Sequence, residues 1–173
     1  DFYDLSAVAD QLTGYNACFF CLGVSSVGLK EPEFYKLTYT LTMHMATLLS
    51  QQNPDMTFCY VSGAGTDSTE KGSTMWARVK GKTENDLMAL PFKQVFNFRP
   101  GYIHPMPGMK NTKSYYKYLS WLYPVMSKVA PSFVVTLRQL GQAMINSVSK
   151  TKQRRVLEVK DIVALSEAQE GNR

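Results

Sequence analysis

Long apolar runs are missing from this chain. No segment approaches the ~20 apolar residues that a bilayer-spanning helix needs, which excludes a membrane span. Nothing at the start reads as a signal peptide either: Asp1-Phe2-Tyr3-Asp4 leads directly into a short helical pattern. Charge of one sign is scarce. Nineteen Lys and Arg against 14 Asp and Glu leave a formal charge of +5, part of it in the turn-like run Lys150 to Arg155. There is no broad basic stripe and no reading motif, so a nucleic-acid surface is excluded. Charged residues are 19% and hydrophobic residues 45% of the 173 positions. Those values exclude a disordered chain and describe a globular one with a sizeable core, expected to form a single domain over 1–173.

Cysteine is also sparse: Cys18, Cys21 and Cys59, each within an apolar run. Cys18-x-x-Cys21 has the spacing of a redox or zinc pair. On a strand, however, residues three apart point to opposite faces, so one face cannot present both thiols. Redox pairs also favour a helix N-terminus. Buried free thiols in a reducing, cytoplasmic compartment are the expectation, with no metal site.

What the chain does have is three short apolar runs, each ending in a polar turn that contains glycine. Ala17 to Leu22 runs into Gly23-Val24-Ser25-Ser26. Thr57 to Val61 runs into Ser62-Gly63-Ala64-Gly65-Thr66-Asp67. Gln94 to Phe98 runs into Arg99-Pro100-Gly101-Tyr102. Helical spacing fills the intervals. Leu5, Val8, Ala9 and Leu12 form a short first helix that Gly14 stops. Phe34, Leu37, Leu41, Met45, Leu48 and Leu49 form the buried face of a second, with Pro32 in its first turn. Trp76, Val79, Leu87 and Leu90 belong to a third, over about 74–90. The alternation predicts parallel strands whose carboxyl ends share one edge, where open α/β sheets bind ligands. From Pro100 to about 135, clustered Pro and Gly predict an irregular excursion, within which Tyr115 to Val129 is aromatic and helix-like. Thr136 is placed to cap a helix reaching about Val148. A late strand over 155–159 precedes a last helix capped by Asp161. The end, from Glu170, is expected to fray.

These residues, in this order, resemble the short-chain dehydrogenase/reductase superfamily, in its atypical branch of NAD(P)-binding, nucleoside-diphosphate-sugar-epimerase-like proteins. Asn16 to Gly23 is similar to the strand and turn after the family's adenine-side helix. Tyr60-Val61-Ser62-Gly63 is similar to the strand that ends in the catalytic serine. Trp76-Ala77-Arg78-Val79-Lys80 occupies the place of Tyr-x-x-x-Lys. Phe98-Arg99-Pro100-Gly101 is similar to the turn at the nicotinamide end. The resemblance spans roughly 1–165 and implies a Rossmann-type doubly wound parallel sheet. It implies NAD or NADP as cofactor, held by Asp1, Phe2, Gly23, Val24, Ser25, Ser62, Lys80, Arg99, Pro100, Gly101 and Ile103. Ser62 and Lys80 are its implied catalytic residues. It also implies a small-molecule substrate, on the side built from the excursion.

The sequence departs from that family in three respects. Asn16 stands where an aspartate is common. No G-x-G-x-x-G or G-x-x-G-x-x-G is present, so the loop that seats a pyrophosphate on a helix N-terminus is lacking. The sheet is therefore expected to be incomplete in its N-terminal half, without the first three strands. That leaves 17–22 as an apolar edge, which predicts pairing with a second copy of the chain. Finally, Trp76 replaces the tyrosine. An indole N–H donates a hydrogen bond but does no acid–base work near neutral pH. Two readings follow: an NAD(P)-dependent oxidoreductase or epimerase, or a non-catalytic NAD(P)-binding sensor or interaction protein.

Each of these residues also has a plain structural reading. Ser62 either orients a ligand or caps a strand. Trp76 is a packing residue. Gly23 and Gly101 either admit a cofactor to the backbone or simply turn the chain. Lys80 shares a helix face with Trp76. His44 is expected to be structural within its apolar helix. His104 is expected in an exposed loop, with a substrate contact as the alternative. Asp67 and Glu70, after Ser62, are minor acid–base candidates. The aromatic run Tyr115 to Tyr123 packs on the domain, lines a pocket or rests on a membrane surface.

Overall fold

A computed structural model describes residues 4–106, 123–149 and 155–168. Asp1 and Phe2, residues 115–122 of the aromatic run, residues 150–154 of the basic turn and the tail from Glu170 lie outside the described residues.

The fold is α/β. Four strands form one parallel sheet in the order β1-β2-β3-β6, an incomplete Rossmann-like arrangement as expected. They are β1 (Ala17–Phe20), β2 (Thr57–Val61), β3 (Gln94–Arg99) and β6 (Val156–Glu158). By its internal contacts the chain parses into two compact units, Asp1–Asn97 and Phe98–Arg173.

In the first unit, β1 and β2 pair in parallel with Ala17 opposite Thr57 and Phe20 opposite Tyr60. Their carboxyl ends therefore share an edge. Phe20, Leu49, Met56, Phe58, Tyr60, Leu87 and Val95 build the core between sheet and helices. Phe58 is its centre: fully buried, with Phe20 at 5.9 Å and Phe92 at 5.0 Å between ring centroids. The helical spacing over 5–12 yields only a 3-10 turn, Ala9–Leu12. Its four residues are too few for an α-helix, and Asn53 holds the segment. Asn53 Nδ2 donates to Leu12 O at 2.8 Å, and its Oδ1 accepts from Tyr15 N at 2.9 Å.

The second helical stretch comprises α1 (Glu31–Tyr35), a π-turn (Lys36–Thr40) and α2 (Leu41–Gln52). Pro32 stands in its first turn, as expected. The buried line differs from the expected one. It passes through Phe34, Thr38, Thr42 and Ala46, in steps of four, while Leu37, Leu41 and Met45 are half-buried. The wider π-turn rotates the face that follows, and Thr42 Oγ1 donates to Thr38 O at 2.6 Å. His44 lies on the exposed side of α2 rather than in a structural position. Helix α3 (Met75–Ala89) completes this unit.

The expected strand over 17–22 ends at Phe20, because the chain leaves the sheet at Cys21. Cys59 is buried, Cys18 half-buried and Cys21 exposed, so the expectation of three buried thiols fails at Cys21. All three are free. Burial, with a smaller contribution from Cys21, pushes the Cys18 thiol up to about 11. Alkylation with iodoacetamide near neutral pH is expected to label Cys21 first. Cys18 should react roughly 100-fold more slowly than an ordinary thiol, from its smaller thiolate fraction. Cys59 should react last, and mass spectrometry of peptides over time gives the order. Labelling of Cys59 before Cys21 would contradict this burial.

The second unit opens on an ordered element where an irregular excursion was expected. Strands β4 (Tyr102–His104) and β5 (Val134–Thr136) pair in parallel, Tyr102 opposite Val134. Residues 123–129 form helix α4. Helix α5 (Leu137–Ser149) begins at Thr136, as the sequence predicts. Thr136 Oγ1 accepts from Gln139 N at 3.1 Å, and Thr136 N donates to Gln139 Oε1 at 2.9 Å, a reciprocal capping box. Helix α6 (Val159–Glu167) is capped by Glu158 rather than Asp161. Asp161 takes the third helical position, where its Oδ2 accepts from Glu158 N at 3.1 Å. Among the described residues, no helix is long and apolar enough to cross a membrane.

Candidate functional site

The first unit concentrates its polar chemistry where β2 ends. Ser62 follows the strand and is 5% exposed; Glu84, on α3, is 0% exposed. Lys80 lies one turn before Glu84 on the same helix face. The Lys80 ammonium donates to the Ser62 carbonyl oxygen. The Ser62 hydroxyl donates to Glu84 Oε1 at 2.5 Å. Two residues that the family resemblance paired are thus in direct contact, together with Glu84, which it did not single out. Burial lowers the pKa of Lys80, and the nearby Glu84 opposes that shift. Tyr60, two residues before Ser62, is pushed up, mainly by burial.

Glu84 left one signal in the sequence. It shares a helix face with Ala77, Lys80, Gly81 and Leu87, at spacings of three, four and seven. A carboxylate on a buried face needs a partner. Composition gives no hint of which one, because Ser62 is 22 positions away.

Trp76 is half-buried at the start of α3, its ring over the chain at Gly65. A Cβ on Gly65 would stand 3.6 Å from Trp76 Cη2. The indole therefore has the packing contact expected of it. Asp67 and Glu70 build the loop rather than offer acid–base groups. Asp67 Oδ1 accepts from the Thr69 hydroxyl at 2.6 Å and from Thr69 N at 2.9 Å, and its Oδ2 accepts from Gly72 N at 2.7 Å. Those bonds, led by the Thr69 hydroxyl, hold its carboxyl below the usual carboxylate range. Glu70 accepts from Asn85 Nδ2 at 2.7 Å.

Gly23, Val24 and Ser25 lie on the exposed segment after β1, on the same sheet edge as Ser62. A side chain at Gly23 would meet nothing within 4 Å, so the backbone there faces open space. Along β1 itself runs an apolar groove of about 550 Å³, lined among others by Leu12, Cys18, Phe20, Met45 and Leu49.

Arg99, Pro100, Gly101 and Ile103 belong to the second unit. Arg99 Nη1 stands 3.3 Å from Glu158 Oε1, and its side chain is 11% exposed. Pro100 is buried and Ile103, in β4, is half-buried. A Cβ on Gly101 would lie 2.1 Å from Phe133 O, the atom that accepts from Tyr102 N at 2.8 Å. The backbone of Phe133 thus fills the space beside this glycine. His104 lies in β4, not in an exposed loop, and stacks on Tyr123 with centroids 3.8 Å apart. Its Nδ1 is buried without a hydrogen-bond partner among the described residues.

No known protein-family model matches this chain, and no curated protein matches its sequence.

Proposed function

We propose that this chain supplies the nicotinamide half of an NAD(P) site, in a protein similar to nucleoside-diphosphate-sugar epimerases and atypical short-chain oxidoreductases. The observation that carries this reading is the Lys80 ammonium held against Ser62 at the carboxyl end of a parallel strand. That edge of an α/β sheet is where nucleotides bind. In this reading Lys80 holds the nicotinamide ribose and Ser62 faces the reacting end of the ligand. Gly23, Val24 and Ser25 border the dinucleotide along the sheet edge. The pyrophosphate loop is not in this sequence, so affinity depends on its being present in the complete protein. A cytoplasmic setting suits the free thiols. The open edge of β1, which carries Phe19 at 44% exposure, pairs with a second copy.

Trp76 favours a second reading. With indole in place of the tyrosine hydroxyl, proton transfer has no agent at that position, and the protein binds NAD(P) without turnover as a sensor or interaction module.

Titrating NADPH and NADH into the full-length protein, followed by tryptophan emission with Trp76→Phe as control, tests the common part. Saturable quenching that Lys80→Met weakens at least ~10-fold is expected, a charge-assisted hydrogen bond being worth about 1.5–3 kcal/mol. No binding of either nucleotide at millimolar concentration would remove both readings. Turnover of a test carbonyl compound separates them. Robust wild-type turnover that needs Lys80 selects the enzyme. Turnover appearing only in Trp76→Tyr selects the sensor.

A further inference from the structure

The polar cluster beneath the β2 terminus holds one group that the resemblance assigns no role. We infer that Glu84 is the positioning residue of this site: it accepts the hydrogen bond of the Ser62 hydroxyl and balances the Lys80 ammonium. The assignment deepens the nucleotide-site reading, but its geometry is a property of the chain without ligand.

Three observations carry it. First, Glu84 is 0% exposed and Ser62 5% exposed, so neither oxygen is served by bulk water, and a buried carboxylate requires compensating donors. Second, the Ser62 hydroxyl supplies one at 2.5 Å. Third, Lys80 precedes Glu84 by four residues on α3. On an exposed helix that order, basic before acidic, is the weaker one. Here Glu84 is buried and Lys80 half-buried, and the ammonium is directed to the carbonyl of the very serine whose hydroxyl Glu84 holds. The three groups close a loop through Ser62: carboxylate to hydroxyl, backbone, carbonyl to ammonium. Among the described residues the Tyr60 phenol on β2 also stands beside it, its pKa pushed up by burial first and by Glu84 to a lesser degree.

A consequence concerns ligand chemistry. A hydroxyl has one proton. While Glu84 accepts it, Ser62 has none to give to a carbonyl oxygen and meets a ligand as an acceptor. The group placed there must bring its own proton, as an alcohol does and a ketone does not. Glu84 therefore biases the site towards the hydroxyl form of a ligand.

The test is the titration of Lys80 itself, read by NMR of protein carrying ¹⁵N,¹³C-lysine, with Lys80→Met giving the assignment. In Glu84→Gln the Lys80 ammonium is expected to lose its proton about one pH unit lower than in wild type, and Glu84→Asp should recover part of the difference. An unchanged titration in a folded Glu84→Gln protein overturns the inference. Should Glu84→Gln not fold, wild type and Ser62→Ala decide. Removing the hydroxyl should shift the Glu84 ¹³Cδ resonance, and an unmoved resonance overturns the assignment. None of these readouts needs a nucleotide. Their failure leaves the NAD(P) reading standing, and failure of nucleotide binding leaves them unaffected.

Discussion

Phe58→Ala is expected to lower the unfolding free energy of the first unit by about 4 kcal/mol. The side chain is 0% exposed and lies between two rings, Phe20 at 5.9 Å and Phe92 at 5.0 Å. Truncation removes the transfer energy of a benzyl group and leaves a cavity that only those rings could fill. Phe20 sits on the edge strand, and Phe92 follows the end of α3. Each is held by its own backbone, so collapse into the gap is limited. The buried core remains contiguous without the ring, which sets the loss nearer the middle of the usual range than its top. Urea denaturation of wild type and variant gives the value directly. A loss under about 1 kcal/mol would mean that Phe58 is not the centre of this core.

The second large effect is expected at Gly81. Changing glycine to alanine inside a helix ordinarily stabilises it by about 1 kcal/mol. Here a Cβ would lie 1.8 Å from the carbonyl oxygen of Asp67. The obstacle is backbone, and that backbone is fixed: Asp67 N donates to Ala77 O at 3.1 Å, and the Asp67 carboxylate ties the loop through Thr69 and Gly72. Neither the helix nor the loop can yield cheaply. Gly81→Ala should therefore destabilise by about 3 kcal/mol net of the propensity gain, seen as an earlier denaturation midpoint. The loop after Ser62 would be displaced with it. Equal or greater stability in the variant would show that the loop is free to move away from α3.

These two positions show why some of the site was legible and some was not. Phe58 belongs to an apolar run bounded by turn residues, and such a run announces a buried strand whatever surrounds it. Ser62 and Lys80 were paired by the family resemblance, the helix period adding only that Lys80 shares a face with Trp76. Gly81 and Glu84 look ordinary by the same criteria. One matters because a loop 14 residues earlier crosses its helix, the other because a serine 22 residues away turns towards it. Gly23 and Gly101 stand out in turns, yet one faces open space and the other the carbonyl of Phe133. The π-turn at Lys36–Thr40 went unread for a related reason. Leucines and threonines alternate there closely enough that either set could face the core, and packing chose the threonines.

The sequence alone determined the α/β class and the strand runs. Hydrophobic period, turn residues and helix caps act over a few positions, and their energies do not wait for the rest of the chain. Tertiary structure decided where β1 stops, that 102–104 and 134–136 form a parallel pair, and which of Asp161 and Glu158 caps the last helix. It also decided that a buried carboxylate stands under the serine. Each of those outcomes depends on groups distant in sequence coming within hydrogen-bond or van der Waals range, and only the folded backbone sets those distances.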